Sequence, residues 1–448
     1  MPFISQGKTN WKYILIVIIL AVIVGGGILG YQWWTAEKEV KVLEEVKAPE
    51  EKPISEEPTS GLIETRLAII PKEYDMVTPP IFSTDGKQIA YRVKQDRKEF
   101  IVVNDNKGKA YDSVWWPIFS PDSKQIASTA REGGKEFVLV NNKEGKAYDN
   151  VKSWPPIFSP DSTQIAYGAR EGGKEFIVVN DKEGKAYDQV QWLTFSPNSK
   201  QIAYKAQKEG KWVVVVNNKE GKAYDGIWGE LIFSPDSTQI AYKAREAGKE
   251  FIVVNGKEGK AYDFTNIHLG LIAFSPDGKK VAYKAKRGGK EFIVINDKEG
   301  KAYDVVGTPI FSPDSSQIAY KAQKEGKWVV VVNNKEGKAY DEGGDPVFST
   351  DTRQIAYWAG EKGKQFIVIN DKEGKVYDEV LWSVFSPDGN QLAYVVKERG
   401  KWFVVINDKE GKGYDEVWVK PVFSSDNKYV TYGVSLGNEL WWIVNETK

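Results

Sequence analysis

Repetition is the feature that most constrains this chain. The dipeptide Phe-Ser falls at Phe82, Phe119, Phe158, Phe195, Phe233, Phe274, Phe311, Phe348, Phe385 and Phe423, at spacings between 37 and 41 residues. Tyr-Asp recurs in step, from Tyr74 to Tyr414. A fixed period of this size marks one supersecondary unit copied along the chain. Such a unit cannot bury its apolar face alone and must stack on its neighbours.

The punctuation of one unit, from Ile157 to Val190, predicts its shape. IFSPDS carries Ser-Pro-Asp, where Pro pre-sets φ and Asp tolerates the next position, so a type I turn is expected. QIAYGA then reads as a short strand, REGGK as a hairpin turn, and KEFIVVN as a second strand that is apolar on both faces. DKEGK reads as another tight turn whose Gly supplies a positive φ. AYDQV starts the next strand. The result is four short strands per unit with no helical periodicity. A four-stranded antiparallel sheet at this period is a propeller blade, and the doubly apolar strand fits a sheet sandwiched between two others.

The pattern F-S-P-D-[GS]-x-x-[IV]-A-Y, followed by an I-V-V-N strand and a Gly turn, resembles the TolB-type, WD40-like propeller repeat. In that class the Pro-Asp turn stands where Trp-Asp stands in WD40 proteins. The resemblance runs from about Phe82 to the C-terminus. It implies a fold, and leaves function open among secreted, periplasmic and enzyme-linked propellers.

The tenth unit lacks its Gly-Lys-Ala-Tyr-Asp segment, whereas LAIIPKEYDMVTPP, with Tyr74 and Asp75, precedes the first. An N-terminal strand is therefore expected to complete the last blade. The fold class is all-β, a propeller of about ten four-stranded blades closed by an N-terminal strand and preceded by one transmembrane helix. One ring of ten is expected over two rings of five, although the longest spacing follows the fifth unit.

Tyr13 to Tyr31 is a run of nineteen residues without a charge. As a helix it would cover about 28 Å, close to the roughly 30 Å of a bilayer's hydrocarbon. Lys8 and Lys12 precede it, which favours a cytoplasmic N-terminus, and Trp11, Trp33 and Trp34 sit at its ends, where aromatic rings prefer the interface. No small-x-small cleavage site follows, so an anchor is expected over a signal peptide. The expected domains are a cytoplasmic tail at 1–12, a transmembrane helix at 13–34, a solvated stalk at 35–60 and the propeller at 61–448. Either reading puts the propeller outside the cytoplasm, at the cell membrane, periplasmic or on the surface.

The 62 basic and 62 acidic side chains cancel, so no nucleic-acid partner is expected. The absence of Cys excludes disulfides and Cys-zinc sites. Gly433-Val434-Ser435-Leu436-Gly437 matches G-x-S-x-G, but an elbow needs a strand-to-helix turn and a downstream His, and the one histidine, His268, lies far upstream. No phosphate-binding or calcium loop is present, and no cofactor or metal is expected.

The units differ mainly between the Asp of one and the Phe of the next, in segments such as SVWWPI, NVKSWPPI, QVQWLT, GIWGELI, EVLWSV and EVWVKPV. These are expected on the rim opposite the Pro-Asp turns. They carry Trp115, Trp116, Trp154, Trp192, Trp228, Trp382 and Trp418, and the longest carries His268. Loops on a rigid frame are where binding residues are placed, and Trp gives large contact area at low entropy cost. The plain alternative is that these indoles only pack between blades. The expected function is a binding or scaffold module for a protein or a cell-envelope glycan. An enzyme acting on polysaccharide or peptide in the central pocket, and a purely structural surface protein, are the alternatives.

Overall fold

The computed structural model describes residues 62–69, 75–76, 80–152, 155–263, 272–437 and 439–447. The expected tail, transmembrane helix and stalk lie outside these residues, as do Tyr74, Trp154 and His268. Among the described residues there is no helix long and apolar enough to cross a membrane.

Ten antiparallel sheets follow one another along the chain. The second blade is representative. Its first strand comes in two pieces, Ser113–Val114 and Ile118–Phe119, both paired with the second strand, Ile126–Glu132. The third strand is Lys135–Val140, and the fourth begins at Lys143–Glu144 and reaches Tyr148, which bridges Glu136. The third strand is buried on both faces through Phe137, Val138 and Leu139. A both-sides-covered sheet accounts for this, because alternate residues meet different neighbouring blades.

Each seam between blades has its own small core. Ile101 and Tyr111 meet Phe137 between the first and second blades, and Ala241 and Tyr262 meet Tyr283 between the fifth and sixth. Tyr91 and Phe100 of the first blade meet Leu440 of the tenth, so one ring of ten is closed. The strand that completes the tenth blade is Leu62–Ile69, paired outside Glu439–Glu446. Asp75–Met76 instead opens the first blade.

Both turns on the Pro-Asp rim are explained by local hydrogen bonds. Ser83 Oγ donates to Asp85 at 2.6 Å and accepts from the Gln88 amide at 2.9 Å, and the pattern recurs from blade to blade. The other turn differs from expectation. Its left-handed residues are Asn104 and Asp105, with φ of 46° and 64°, and Asn141 and Asn142 in the next blade. Two consecutive positive φ values make the two-residue hairpin whose twist suits the strands, and Asn and Asp tolerate them. Asn104 also accepts the Ile89 amide at 2.9 Å. The following Gly lies under a strand carbonyl; a Cβ on Gly145 would come within 3.1 Å of Val138 O.

The repeated Tyr-Asp has two separate tasks. Tyr148 donates to Glu183 of the next blade at 3.1 Å, beside the Lys146–Glu183 ion pair at 2.6 Å. Asp149 pairs with Lys135 at 2.7 Å and accepts the amide of Gly172, at the next blade's hairpin tip, at 3.0 Å. Each Tyr-Asp therefore fastens one blade to the next.

Candidate functional site

The variable segments are not rim loops, as expected from the sequence; they are the innermost strands of the blades. Neighbouring first strands touch one another, as Gln189–Phe195 does Gly226–Phe233, and Gly226–Phe233 does Ile272–Phe274. The fourth strands are exposed. In a ring, the strands that approach each other are those nearest the axis. The crossing from one blade to the next takes little more than the Asp itself, so the residues after it already belong to the inner wall.

Several inner strands are interrupted at their middle. In the fourth blade the pairing shifts between Gln191 and Thr194, in the fifth between Trp228 and Ile232, and in the ninth between Leu381 and Ser383. These β-bulges re-aim one or two side chains per blade. They also sort the tryptophans. Trp115, Trp228 and Trp418 occupy the position before the break, opposite Thr129, Lys243 and Gly433. Trp228 lies over Gly226 of its own strand, and Trp418 packs against the core shared with the first blade. Trp116, Trp192 and Trp382 occupy the apex, one residue on. Trp116 is 40% exposed, the most open tryptophan among the described residues. Trp192 and Trp382 have φ of 54° and 37°, a left-handed backbone that is strained for a bulky side chain.

The middle of the second strand carries charge that the sequence reading missed. Lys205, Lys243, Lys284 and Lys321 stand there in four successive blades, each within an otherwise apolar IAYKA or VAYKA. A cation inside a strand buried on both faces was the available signal. Lys205 is fully buried. It donates to the carbonyl of Gly229 and lies 5.0 Å from the Trp192 ring, a cation–π distance. Burial drives its ammonium well below the usual range, with Glu230 opposing. Glu230, beside Gly229, is pushed up to about 7 by burial, against the pull of Lys205. Lys243 pairs with Glu250 at 2.9 Å, Lys284 with Glu291 at 2.7 Å, and Lys321 with Asp345 at 3.4 Å. The charges of this arc are thus engaged within the wall.

Third-strand Glu and Gln side chains brace the wall from behind. Glu99 accepts the Val114 amide at 3.0 Å, Glu136 the Val151 amide at 2.8 Å, and Gln365 the Val380 amide at 2.8 Å, each across a seam. The Gly433–Gly437 stretch forms the end of the strand Tyr429–Leu436 and its hairpin, with Ser435 buried, so it is not a strand-to-helix elbow.

A closed ring in which every blade carries a Phe-Ser turn between its first and second strands agrees with the repeat pattern quoted above. The repeats are propeller blades. Two solved structures are similar to this ring. The Dos1 propeller has a TM-score of 0.38 and 13% identity, covering 65% of this chain and 91% of its own. TolB from Acinetobacter baumannii has a TM-score of 0.28 and 15% identity, covering 66% and 79%. No family model and no curated protein matches the chain.

Proposed function

We propose that the chain is a membrane-anchored, extracytoplasmic propeller that binds a cell-envelope glycan along its inner wall. The observation that carries this reading is the set of three bulge-apex tryptophans, Trp116, Trp192 and Trp382. The left-handed backbone at Trp192 and Trp382 is strain that persists where the surroundings over-determine it, and such strain concentrates at ligand-contacting positions. The neighbouring lysines are already engaged, Lys205 by a carbonyl and Lys243, Lys284 and Lys321 by acids, so the wall offers indole rings more than free charge. An uncharged sugar ring suits such a face better than an acidic polymer does. The anchor and the extracytoplasmic placement rest on the apolar run at residues 13–34 and the lysines before it.

The test compares the two tryptophan positions in the full-length protein in detergent, using purified envelope polysaccharide and calorimetry. Trp116→Ala, Trp192→Ala and Trp382→Ala are expected to weaken binding at least tenfold with Tm unchanged. Trp228→Ala and Trp418→Ala are expected to lower Tm. Undiminished glycan binding by the apex variants sinks the proposal, and capture of an envelope protein alone by the wild-type chain replaces the glycan with a protein partner.

A further inference from the structure

Near-identical blades create a registry problem: any outer strand could complete any blade, in its own chain or another. The seam between the tenth and first blades departs from the other nine at the outer-strand clasp and at the rim lysine. Nine seams carry a Lys–Glu pair between outer strands, from Lys109–Glu144 to Lys412–Glu64. In the first blade, Lys107 stands at the register position of Glu144. The rim lysine of the other blades, Lys98 in the first, is Glu439 in the tenth, which pairs with Arg66 at 3.2 Å. The third-strand position that is Glu99 in the first blade is Leu440 in the tenth, and Trp212, Trp328 and Trp402 in the fourth, seventh and ninth. Ser123 and Ser162 each cap the Pro-Asp turn of the preceding blade at 3.0 Å, whereas Gly86 holds that position in the first blade.

Two reciprocal close fits stand in place of these contacts. Trp442 takes the register position of Ile101, and a Cβ on Gly86 would fall inside its indole. Phe82 lies against Gly433, where a Cβ would come within 2.7 Å of the ring. The two aromatic rings are 5.3 Å apart. Each side of the seam therefore supplies one large ring and one glycine.

We propose that this seam is a keyed joint, in which the Trp442–Gly86 fit, beside the Phe82–Gly433 contact, selects a first blade over the internal blades as the partner of the tenth. Six internal blades present a side chain where the indole must enter, at Ser123, Ser162, Ser199, Ser237, Ser315 and Thr352. The sixth and ninth present Gly278 and Gly389, but they carry Glu299 and Glu410 where the first blade has Lys107.

The experiment is a mutant cycle on the full-length protein in detergent, read by hydrogen exchange and by light scattering. Gly86→Ser places in the turn a residue that the same turn holds elsewhere at φ of about 62° (Ser123 and Ser237 among others), so backbone strain is not its effect. It is expected to speed exchange of Leu62–Ile69 and Glu439–Glu446 at least tenfold. Ile240–Glu246 of the fifth blade should stay unchanged, and part of the chain should become strand-exchanged oligomers. Trp442→Ile, which vacates the hole, is expected to give a smaller acceleration confined to the same strands. Gly86→Ser with Trp442→Ile rebuilds the pairing of an internal seam and is expected to restore wild-type protection. Wild-type exchange in Gly86→Ser, acceleration spread over all ten blades in either single variant, or a double variant no better than Gly86→Ser would each overturn the proposal.

Discussion

The nine internal seams and the closing seam bury similar apolar cores but are finished by opposite chemistry. An internal seam such as the second to third adds the Lys146–Glu183–Tyr148 clasp, the Lys135–Asp149 rim pair and the Ser162 cap. The closing seam adds Trp442, Phe82, Trp418 and Leu440. Exposed ion pairs contribute little singly, about 0.2–1 kcal/mol each. They can be copied nine times because they are directional and tolerant of small misfits. Tight ring-against-glycine packing is intolerant, so it discriminates. Repetition favours the first chemistry, and closure at a single place requires the second.

Acid strikes all the polar seams at once, so the largest contrast is expected there. Glu144, Glu183 and Glu220 are held below the usual carboxylate range, first by Lys109, Lys146 and Lys185. Glu299 is held at about 2 from an ordinary 4.5, first by Arg287 and then by Lys260. A depressed folded pKa contributes stability above the unfolded value and loses it as pH falls through the folded value. Between pH 4.5 and 2, exchange should therefore accelerate at the internal outer strands before it does at Glu439–Glu446. Simultaneous loss would show that the clasps do not distinguish the seams.

A smaller effect is expected from Gly433→Ala, which drives a methyl into the Phe82 ring. Overpacking of this kind costs about 1–3 kcal/mol, measurable as a lower urea midpoint with an unchanged slope. A midpoint equal to wild type would mean that the closing seam is slack. The smallest expected effect is that of Tyr148→Phe, which removes one hydrogen bond and leaves the Lys146–Glu183 pair. About 0.5–1.5 kcal/mol is expected, and no change in urea stability would make the internal clasp irrelevant to strength.

The blade was legible because its signals are local. Ser-Pro-Asp, the Asn-containing hairpin and the doubly apolar KEFIVV need only their own residues to act. The Gly of DKEGK was misplaced as the turn residue, because the Asn-Asp pair before it also accepts a left-handed backbone and caps the neighbouring strand. The candidate site was legible only as a list of tryptophans. Trp115 and Trp116 are adjacent in sequence, yet one stands in register opposite the second strand and the other at the open apex. A bulge decides which is which, and a bulge depends on how the partner strand pairs.

By itself, then, the sequence determined the repeat, the strand content, the ring's approximate blade number and the residue types placed at every seam, because each follows from local periodicity and turn chemistry. The tertiary structure alone decided that the variable segments form the inner wall rather than a rim, and which indoles reach its surface. It also decided that blade ten recognises blade one through glycine and ring, since those contacts join residues more than three hundred positions apart.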